Sequence, residues 1–193
     1  MKKFAPVLVI VGIIILGFLY FMNVKNKALV FSQATEKEWG NVNTAYQRRL
    51  DLIDNLVNTV KGAADFEKST LTAVVEARAK ATSVTIDPKN ITPAQLDQFN
   101  QAQSGITSSL SKLLVSVEAY PQLRATENFK QLQDELASTE NQILTARTRF
   151  NESVLAYNGY VLAMPQNIFL GSYTEKAYFK AVAGAENAPK VKF

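Results

Sequence analysis

The sequence predicts an all-α protein in which an N-terminal transmembrane helix is followed by an up-and-down antiparallel four-helix bundle. One observation is a charge-free apolar run near the N-terminus. Another is that apolar side chains recur in steps of three or four along the rest of the chain, which is typical of amphipathic helices. Prolines and turn residues divide this pattern into segments. The predicted helices cover about residues 36–61, 65–83, 93–119 and 122–162, with a short helix near 173–183.

The apolar run from Phe4 to Met22 is predicted to cross a membrane and to contact the lipid bilayer. It contains no charged residue, and at about 1.5 Å per residue it spans about 28 Å, close to the hydrocarbon thickness of a bilayer. A cleaved secretory signal is the alternative, although such signals have shorter apolar cores and a small-residue cleavage site. We assign residues 1–27 to an uncleaved anchor. Lysines flank both ends, and the terminal amine beside Lys2 and Lys3 favours an N-terminus inside the cell.

The first bundle helix carries the clearest pattern in the chain. Its apolar seam consists of Trp39, Val42, Tyr46, Leu50, Ile53, Val57 and Val60. Thr35 and Glu38 match a capping box, which predicts a helix start near residue 36, and fusion with the membrane helix is the alternative. Gly62 interrupts the pattern, and Asp65 is a candidate cap for the second helix. If Gly62 is tolerated within a helix, the first two helices form one long kinked helix.

Proline pairs mark the loop before the third helix. Asp87-Pro88 and Thr92-Pro93 exclude a continuous helix there. Thr92 and Gln95 match a capping box, so a helix is predicted to begin at residue 93.

The fourth helix is delimited by Pro121 and by Met164-Pro165. After it, Ser172 and Glu175 match another capping box, which predicts the short terminal helix before a mobile polar tail. We therefore assign residues 28–165 to the helical bundle and residues 166–193 to a C-terminal extension.

The residue types that are absent narrow the possible functions. The chain has neither cysteine nor histidine, which excludes thiolate metal sites, thiol nucleophiles and Ser-His or Cys-His catalytic pairs. The net charge of +4 comes from the four lysines around the apolar run, because 17 basic and 17 acidic residues remain in positions 28–193. A neutral domain argues against a nucleic-acid partner. No catalytic residue and no cofactor is predicted.

Four carboxylates on the predicted fourth helix are possible metal ligands: Glu127, Asp134, Glu135 and Glu140. Carboxylate metal sites in helical bundles combine such residues with histidine in Glu-x-x-His pairs. Since the chain lacks histidine, no metal site is predicted.

Gln47, Arg48 and Arg49 are the candidate interaction residues, because they follow Tyr46 and leave the apolar seam of the first helix. Guanidinium groups bind carboxylates or phosphates in two-pronged contacts. The alternative is a solvated helix face with weak ion pairs, each of which contributes only a few tenths of a kcal/mol.

Four asparagines fall on or beside the apolar seams: Asn55, Asn128, Asn151 and Asn158. A buried amide needs hydrogen-bonding partners. One interpretation is a structural polar seam that fixes the register between helices, as a seam asparagine does in coiled coils. The other is a polar pocket for a ligand.

The soluble part resembles the LemA family of bacterial membrane-anchored helical proteins. The resemblance rests on a single N-terminal membrane span followed by ordered matches that cover nearly the whole chain. The most distinctive matches are W-x-x-V-x-x-x-Y-Q-R-R-x-D-L-I at Trp39–Ile53, N-L-V-x-x-V-K-G at Asn55–Gly62, E-A-R-A at Glu76–Ala79, A-Y-P-x-L-R-A-x-E-N-F at Ala119–Phe129 and F-N-x-x-V-x-x-Y-N at Phe150–Asn158. The family often has proline where Asp54 stands and histidine-glutamate where Phe66-Glu67 stands.

This resemblance implies an up-and-down helical bundle without an assigned biochemical activity. Some members are encoded near a membrane-bound heat-shock metalloprotease or near small envelope-maintenance proteins, and one branch is associated with magnetosome membranes. We therefore expect a non-enzymatic scaffold or adaptor in the bacterial inner membrane that binds other membrane or envelope proteins, with its soluble domain outside the cytoplasm. The alternative is a solute-sensing bundle that signals through its membrane span, and an enzyme is the third hypothesis.

Overall fold

The computed structural model describes residues 5–62 and 66–180 of the chain. Within these ranges every regular element is a helix, so the all-α prediction is confirmed. The helices are α1 (Ala5–Lys61), α2 (Lys68–Thr82), α3 (Pro93–Val117), α4 (Pro121–Arg124), α5 (Glu127–Val161) and α6 (Gln166–Phe169).

Helix α1 runs without a break from the apolar N-terminal segment into the bundle. Its 57 residues correspond to about 85 Å of helix. The predicted start near residue 36 is therefore wrong, and fusion with the apolar N-terminal helix is observed. The Thr35 hydroxyl does not cap a helix; it donates to the carbonyl of Phe31 at 3.0 Å, one turn earlier in the same helix. No proline or glycine lies between Gly17 and Gly40, so nothing in this stretch favours a helix end.

The first part of α1 is apolar and faces outward. Side chains from Val7 to Met22 are nearly all exposed, and α1 is the one described helix that is long and apolar enough to cross a membrane. Phe4 lies outside the described residues. We call residues 5–22 of α1, which are predicted to cross the membrane, the membrane segment. From Val24 onward, α1 has a buried face, so the membrane segment continues directly into the core of the bundle.

Helices α1 and α5 run antiparallel and pack along most of the bundle. Three contacts define the direction, because the residue numbers rise on α1 as they fall on α5. The contacts are Val24 with Tyr160, Thr35 with Ser153 and Arg49 with Glu140.

Helices α2 and α3 form the second pair. Helix α2 begins at Lys68, three residues after the predicted start, and Asp65 lies outside the described residues. An Arg78–Asp54 ion pair of 2.5 Å ties α2 to α1. Helix α3 starts with the predicted capping box, in which Thr92 and Gln95 each bond the backbone of the other. The structure divides the fourth predicted helix into two, the short α4 and the long α5.

Within the described part of the chain, the core forms three clusters along α1. The cluster farthest from the membrane segment joins α1 to α2, α3, α4 and α5 around Ile53 and Leu113. The middle cluster is aromatic, with the indole of Trp39 packed against the rings of Phe99, Phe150 and Phe179 at centroid distances of 5.4–6.0 Å. The cluster nearest the membrane segment contains Val24, Tyr157 and Leu170. The buried face of α1 is thus continuous from Val24 to Val60.

The predicted terminal helix is wrong over residues 173–180, which are not helical. This segment, which we call the C-terminal strap (residues 173–180), lies along α5 and contributes Phe179 to the aromatic cluster. Its backbone groups bond side chains of α5 and the carbonyl of Ile91, so they have no need of helical bonds. Residues 181–183 of the predicted helix and the polar tail lie outside the described residues.

Candidate partner-binding surface

Arg49 is a buried clasp between helices and is not an exposed interaction residue. Its side chain is 4 % exposed, and its Nε lies 2.9 Å from a carboxylate oxygen of Glu140 on α5. Its Nη2 donates to the hydroxyl of Thr107 on α3 at 2.8 Å. The prediction that Arg49 leaves the seam is therefore corrected: its guanidinium ties α1 to two other helices.

The spacing of α1 explains the burial of Arg49. Val42, Arg49 and Leu56 are separated by seven residues, so they lie on one stripe of the helix. Val42 and Leu56 are fully buried, which places Arg49 between them on the core face. The heptad spacing was present in the sequence, and the polar character of arginine concealed it.

Arg48 and Gln47 are exposed, and Arg48 lies between two surface depressions. The first, which we call the α1–α5 groove, has a volume of about 470 Å³. The second, which we call the α1–α3 cleft, has a volume of about 610 Å³. Gln47 faces the cleft and donates to the carboxylate of Asp51 at 2.9 Å. Arg48 lines both depressions, so of the three candidate residues it is the one that joins them.

The α1–α5 groove is polar and positively charged. Its lining side chains comprise Asn41, Thr44, Ala45, Arg48, Ser138, Asn141, Gln142, Thr145, Ala146 and Arg149. Two guanidinium groups and no carboxylate occur among them. Such a surface complements an acidic group, because arginine forms charge-assisted bonds with carboxylates and phosphates.

The α1–α3 cleft has an aromatic wall formed by Trp39, Tyr46 and Phe99. Two buried polar atoms of its lining residues, Nε1 of Trp39 and Oε1 of Gln103, have no hydrogen-bonding partner within the described part of the chain. Burial raises the pKa of the Tyr46 hydroxyl, although the positive charges of Arg147 and Arg49 oppose this shift. The lining of the cleft therefore combines aromatic rings with two buried polar atoms that lack a partner.

Two of the candidate asparagines hold the C-terminal strap against α5. The amide of Asn158 donates to the carbonyl of Lys176 at 2.8 Å and accepts from its N–H at 2.9 Å. Asn151 makes the same pair of bonds with Phe179, both at 2.9 Å. Each side chain therefore satisfies both backbone groups of one strap residue, as a neighbouring strand would.

The spacing of the two asparagines matches the spacing of their partners. Seven residues of helix rise about 10.5 Å, and three residues of extended chain rise about 10 Å. The strap runs antiparallel to α5, since Asn158 bonds the earlier residue. The polar-seam interpretation placed these amides between helices, whereas the structure places them between a helix and the strap.

The other two asparagines, Asn55 and Asn128, lie on exposed faces. Asn55 follows the buried Leu52 and Ile53 but is turned about 200° from Ile53, because each helical residue advances by about 100°. The predicted seam position is therefore corrected for both residues.

Lys176 is a buried charged residue and a further candidate functional residue, which is not predicted from the sequence. It is 2 % exposed, and its Nζ donates to the carbonyl of Pro88 at 3.0 Å and lies 5.0 Å from the centre of the Tyr157 ring. Burial lowers the pKa of Lys176, and the negative charges of Glu36 and Asp87 partly offset this effect. In the sequence, Lys176 follows a predicted helix cap and carries no signal of burial.

Comparison with known proteins decides the family. The model of the LemA family matches residues 38–193, which is most of the chain. The chain belongs to the LemA family. Over 77 % of its length it is 23 % identical to Protein LemA of Metamycoplasma hominis. Over 80 % of its length it is 23 % identical to two proteins of Paramagnetospirillum magneticum, Magnetosome proteins MamQ 1 and MamQ 2.

The chain spans just under two thirds of the length of these curated relatives, 65 % for the LemA protein and 64 % for the MamQ proteins. The match to the family model starts at Glu38 and therefore covers most of the bundle but not the membrane segment. Family membership and the apolar start of α1 together describe a membrane-associated helical protein.

Proposed function

We propose that this protein is a non-enzymatic, membrane-anchored adaptor that binds an acidic segment of another membrane or envelope protein through the α1–α5 groove. The observation that carries the proposal is the position of Arg48, exposed where the groove meets the cleft, with Arg149 on the opposite wall. Two arginines on facing helices can hold one acidic chain from both sides. Two of the relatives are magnetosome proteins, which is compatible with a role at a membrane.

The geometry of α1 gives the proposed adaptor its reach. Arg48 stands 26 residues beyond Met22 on one continuous helix, which corresponds to about 39 Å along the axis. A partner bound there would be held at a fixed distance from the bilayer, because no hinge interrupts α1. We propose that the anchor lies in the bacterial inner membrane and that the bundle lies outside the cytoplasm.

The test compares arginine variants of the full-length protein after cross-linking in native membranes. Arg48→Glu and Arg149→Glu should each reduce capture of the partner by about tenfold or more, because reversing a charge at the centre of an interface costs at least about 1.4 kcal/mol. Lys112→Glu is the matched control, since Lys112 is an exposed cation on α3 outside both depressions.

The melting temperature separates binding from folding in this test. Arg48→Glu should melt within a few degrees of the natural protein, because exposed substitutions usually change stability by less than about 0.5 kcal/mol. A reciprocal Glu→Arg change in the captured segment should restore binding to Arg48→Glu. Equal capture by all variants would refute the assignment of the groove.

A second candidate function is solute binding in the α1–α3 cleft, favoured by the unpartnered atoms of Trp39 and Gln103. Because both atoms are buried, a small molecule with an acceptor and a donor would have to insert past the aromatic wall to bond them. Trp39 is the single tryptophan of the chain, so its fluorescence reports on occupancy directly. A solute that shifts this fluorescence should lose affinity in Gln103→Leu; if no solute in a metabolite screen changes the emission, the sensor hypothesis fails.

A further inference from the structure

The turn after α5 exposes large apolar side chains beside the membrane segment. We call residues 162–169 the membrane-side turn; within it Leu162, Met164 and Ile168 are more than half exposed. Farther from the membrane segment, the exposed large apolar residues Val75, Val115 and Leu144 are far apart in the sequence. Three such side chains in one short turn form an apolar patch whose exposure to water is unfavourable.

Aromatic contacts set the depth of this turn. The ring of Phe169 lies edge-on to the rings of Tyr20 and Phe21, with centroid distances of 5.9 and 6.1 Å. Tyr20 and Phe21 belong to the last turn of the apolar run that is predicted to cross the bilayer. The membrane-side turn therefore lies at the depth where α1 leaves the hydrocarbon.

The surrounding residues have the composition of a membrane interface. Lys25, the first cation after the apolar run, has its Nζ 5.6 Å from the Phe21 ring and 5.5 Å from the Tyr173 ring. Aromatic rings with a lysine at the end of a span are typical of the headgroup level. In addition, residues 153–174 carry no charged side chain, although a water-facing turn is ordinarily polar.

We propose that the membrane-side turn inserts into the interfacial layer of the bilayer leaflet from which α1 emerges, with Leu162, Met164 and Ile168 among the acyl chains. The occupant of this patch is lipid, because Phe169 of the same turn packs on Tyr20 and Phe21, at the end of the helix segment that lipid must also cover. A second attachment point fixes the tilt and rotation of the bundle, so the Arg48 groove faces a defined direction. The inference rests on the proposed membrane anchor.

The chain is suited to a depth measurement because it has no natural cysteine. The full-length protein is reconstituted in phosphatidylethanolamine–phosphatidylglycerol vesicles, with one spin-labelled cysteine at Ile168, Leu144 or Ile14. These three side chains have matched exposures of 67 %, 65 % and 64 %. Collisions with oxygen, which concentrates in lipid, and with a water-soluble nickel chelate are then compared.

At position 168 we expect an oxygen-to-nickel collision ratio several-fold above that at position 144 and approaching that at position 14. A ratio at 168 equal to that at 144 places the turn in water and overturns the proposal, while a lipid ratio at 14 in the same experiment leaves the anchor intact. Low access of both reagents to position 168 would mean that protein covers the patch, which also overturns the assignment to lipid. Water-like ratios at both 14 and 168 would overturn the turn and the anchor together.

Discussion

Replacing Asn158 by alanine should release the C-terminal strap while leaving the helices intact. Asn158 is buried, and its amide supplies both hydrogen bonds to the backbone of Lys176. Alanine retains helix propensity at this position, so α5 should persist. The strap would lose the partner of one buried N–H and one buried carbonyl.

The expected loss in the free energy of unfolding follows from the backbone N–H and the carbonyl of Lys176. A buried donor or acceptor left without a partner costs about 1–3 kcal/mol, so the two together give about 2–6 kcal/mol if the strap stays in place. The strap can instead detach, which limits the loss to its own free energy of docking. We therefore expect a loss near the lower end of that range, accompanied by local opening.

Two readouts detect this opening. Hydrogen exchange of residues 173–180 should accelerate by about thirtyfold or more for a loss of about 2 kcal/mol. The emission of Trp39 should change as well, because its indole stacks on the ring of Phe179 at 6.0 Å. Asn55→Ala is the matched control, since Asn55 is an exposed asparagine on α1.

The result that would refute this reasoning is equal behaviour of the two variants. If Asn158→Ala exchanges amide protons in the strap no faster than Asn55→Ala and unfolds at the same denaturant concentration, the amide pairs do not hold the strap. Asn151→Ala should have an exchange rate in the strap and an unfolding midpoint between those of the two variants, because the Asn151 side chain is only half-buried.

Three further predictions test other parts of the structure. Arg49→Ala should lower the free energy of unfolding by about 1–3 kcal/mol in a urea titration, because the buried side-chain stem and the hydrogen bond to α3 are lost. The ion pair itself adds little, since its partner Glu140 is 51 % exposed. A loss below about 0.5 kcal/mol would contradict the role of Arg49 in holding the helices together. Burial holds the pKa of Lys176 below its ordinary 10.5, so between the lowered pKa and 10.5 this residue binds more protons in the unfolded chain, and its contribution to the free energy of unfolding rises with pH. That rise should disappear in Lys176→Met, with the natural protein measured in parallel over the same alkaline range; parallel curves for the two proteins would show that Lys176 does not titrate differently on folding. Finally, the full-length chain should stay with membranes through carbonate washing, whereas a chain beginning at Val24 should be soluble and fold, and release of the full-length chain by carbonate would contradict the anchor.

Helix identity could be read from the sequence because its signals are local. The seam from Trp39 to Val60, the capping box at Thr92 and the prolines around residues 88 and 121 lie within a few residues of the structure they specify. All-α architecture and the first residue of α3 follow from such signals. The capping box predicted at Thr35 failed because the same motif also fits the interior of a helix, where a threonine hydroxyl bonds the preceding turn.

Tertiary structure decided the roles of the polar residues. Arg48 and Arg49 are adjacent and chemically identical, yet one is exposed and the other is buried against Glu140 and Thr107. Thr107 is 58 residues from Arg49 in the sequence, and no local pattern identifies a partner at that distance. The heptad position of Arg49 shows which way it faces, but only the neighbouring helices supply the groups that satisfy its charge.

The C-terminal strap shows the same division between local and distant signals. Its sequence, with a capping box and no helix breaker, predicts a helix, and the choice of an extended conformation is made by Asn151 and Asn158 on α5. These amides satisfy the backbone of Lys176 and Phe179, which removes the need for internal hydrogen bonds. The sequence by itself determined the apolar N-terminal segment and the long helices, because apolar content and periodicity suffice for them. The strap, the contacts of Arg49 and the groove exist only where distant residues meet.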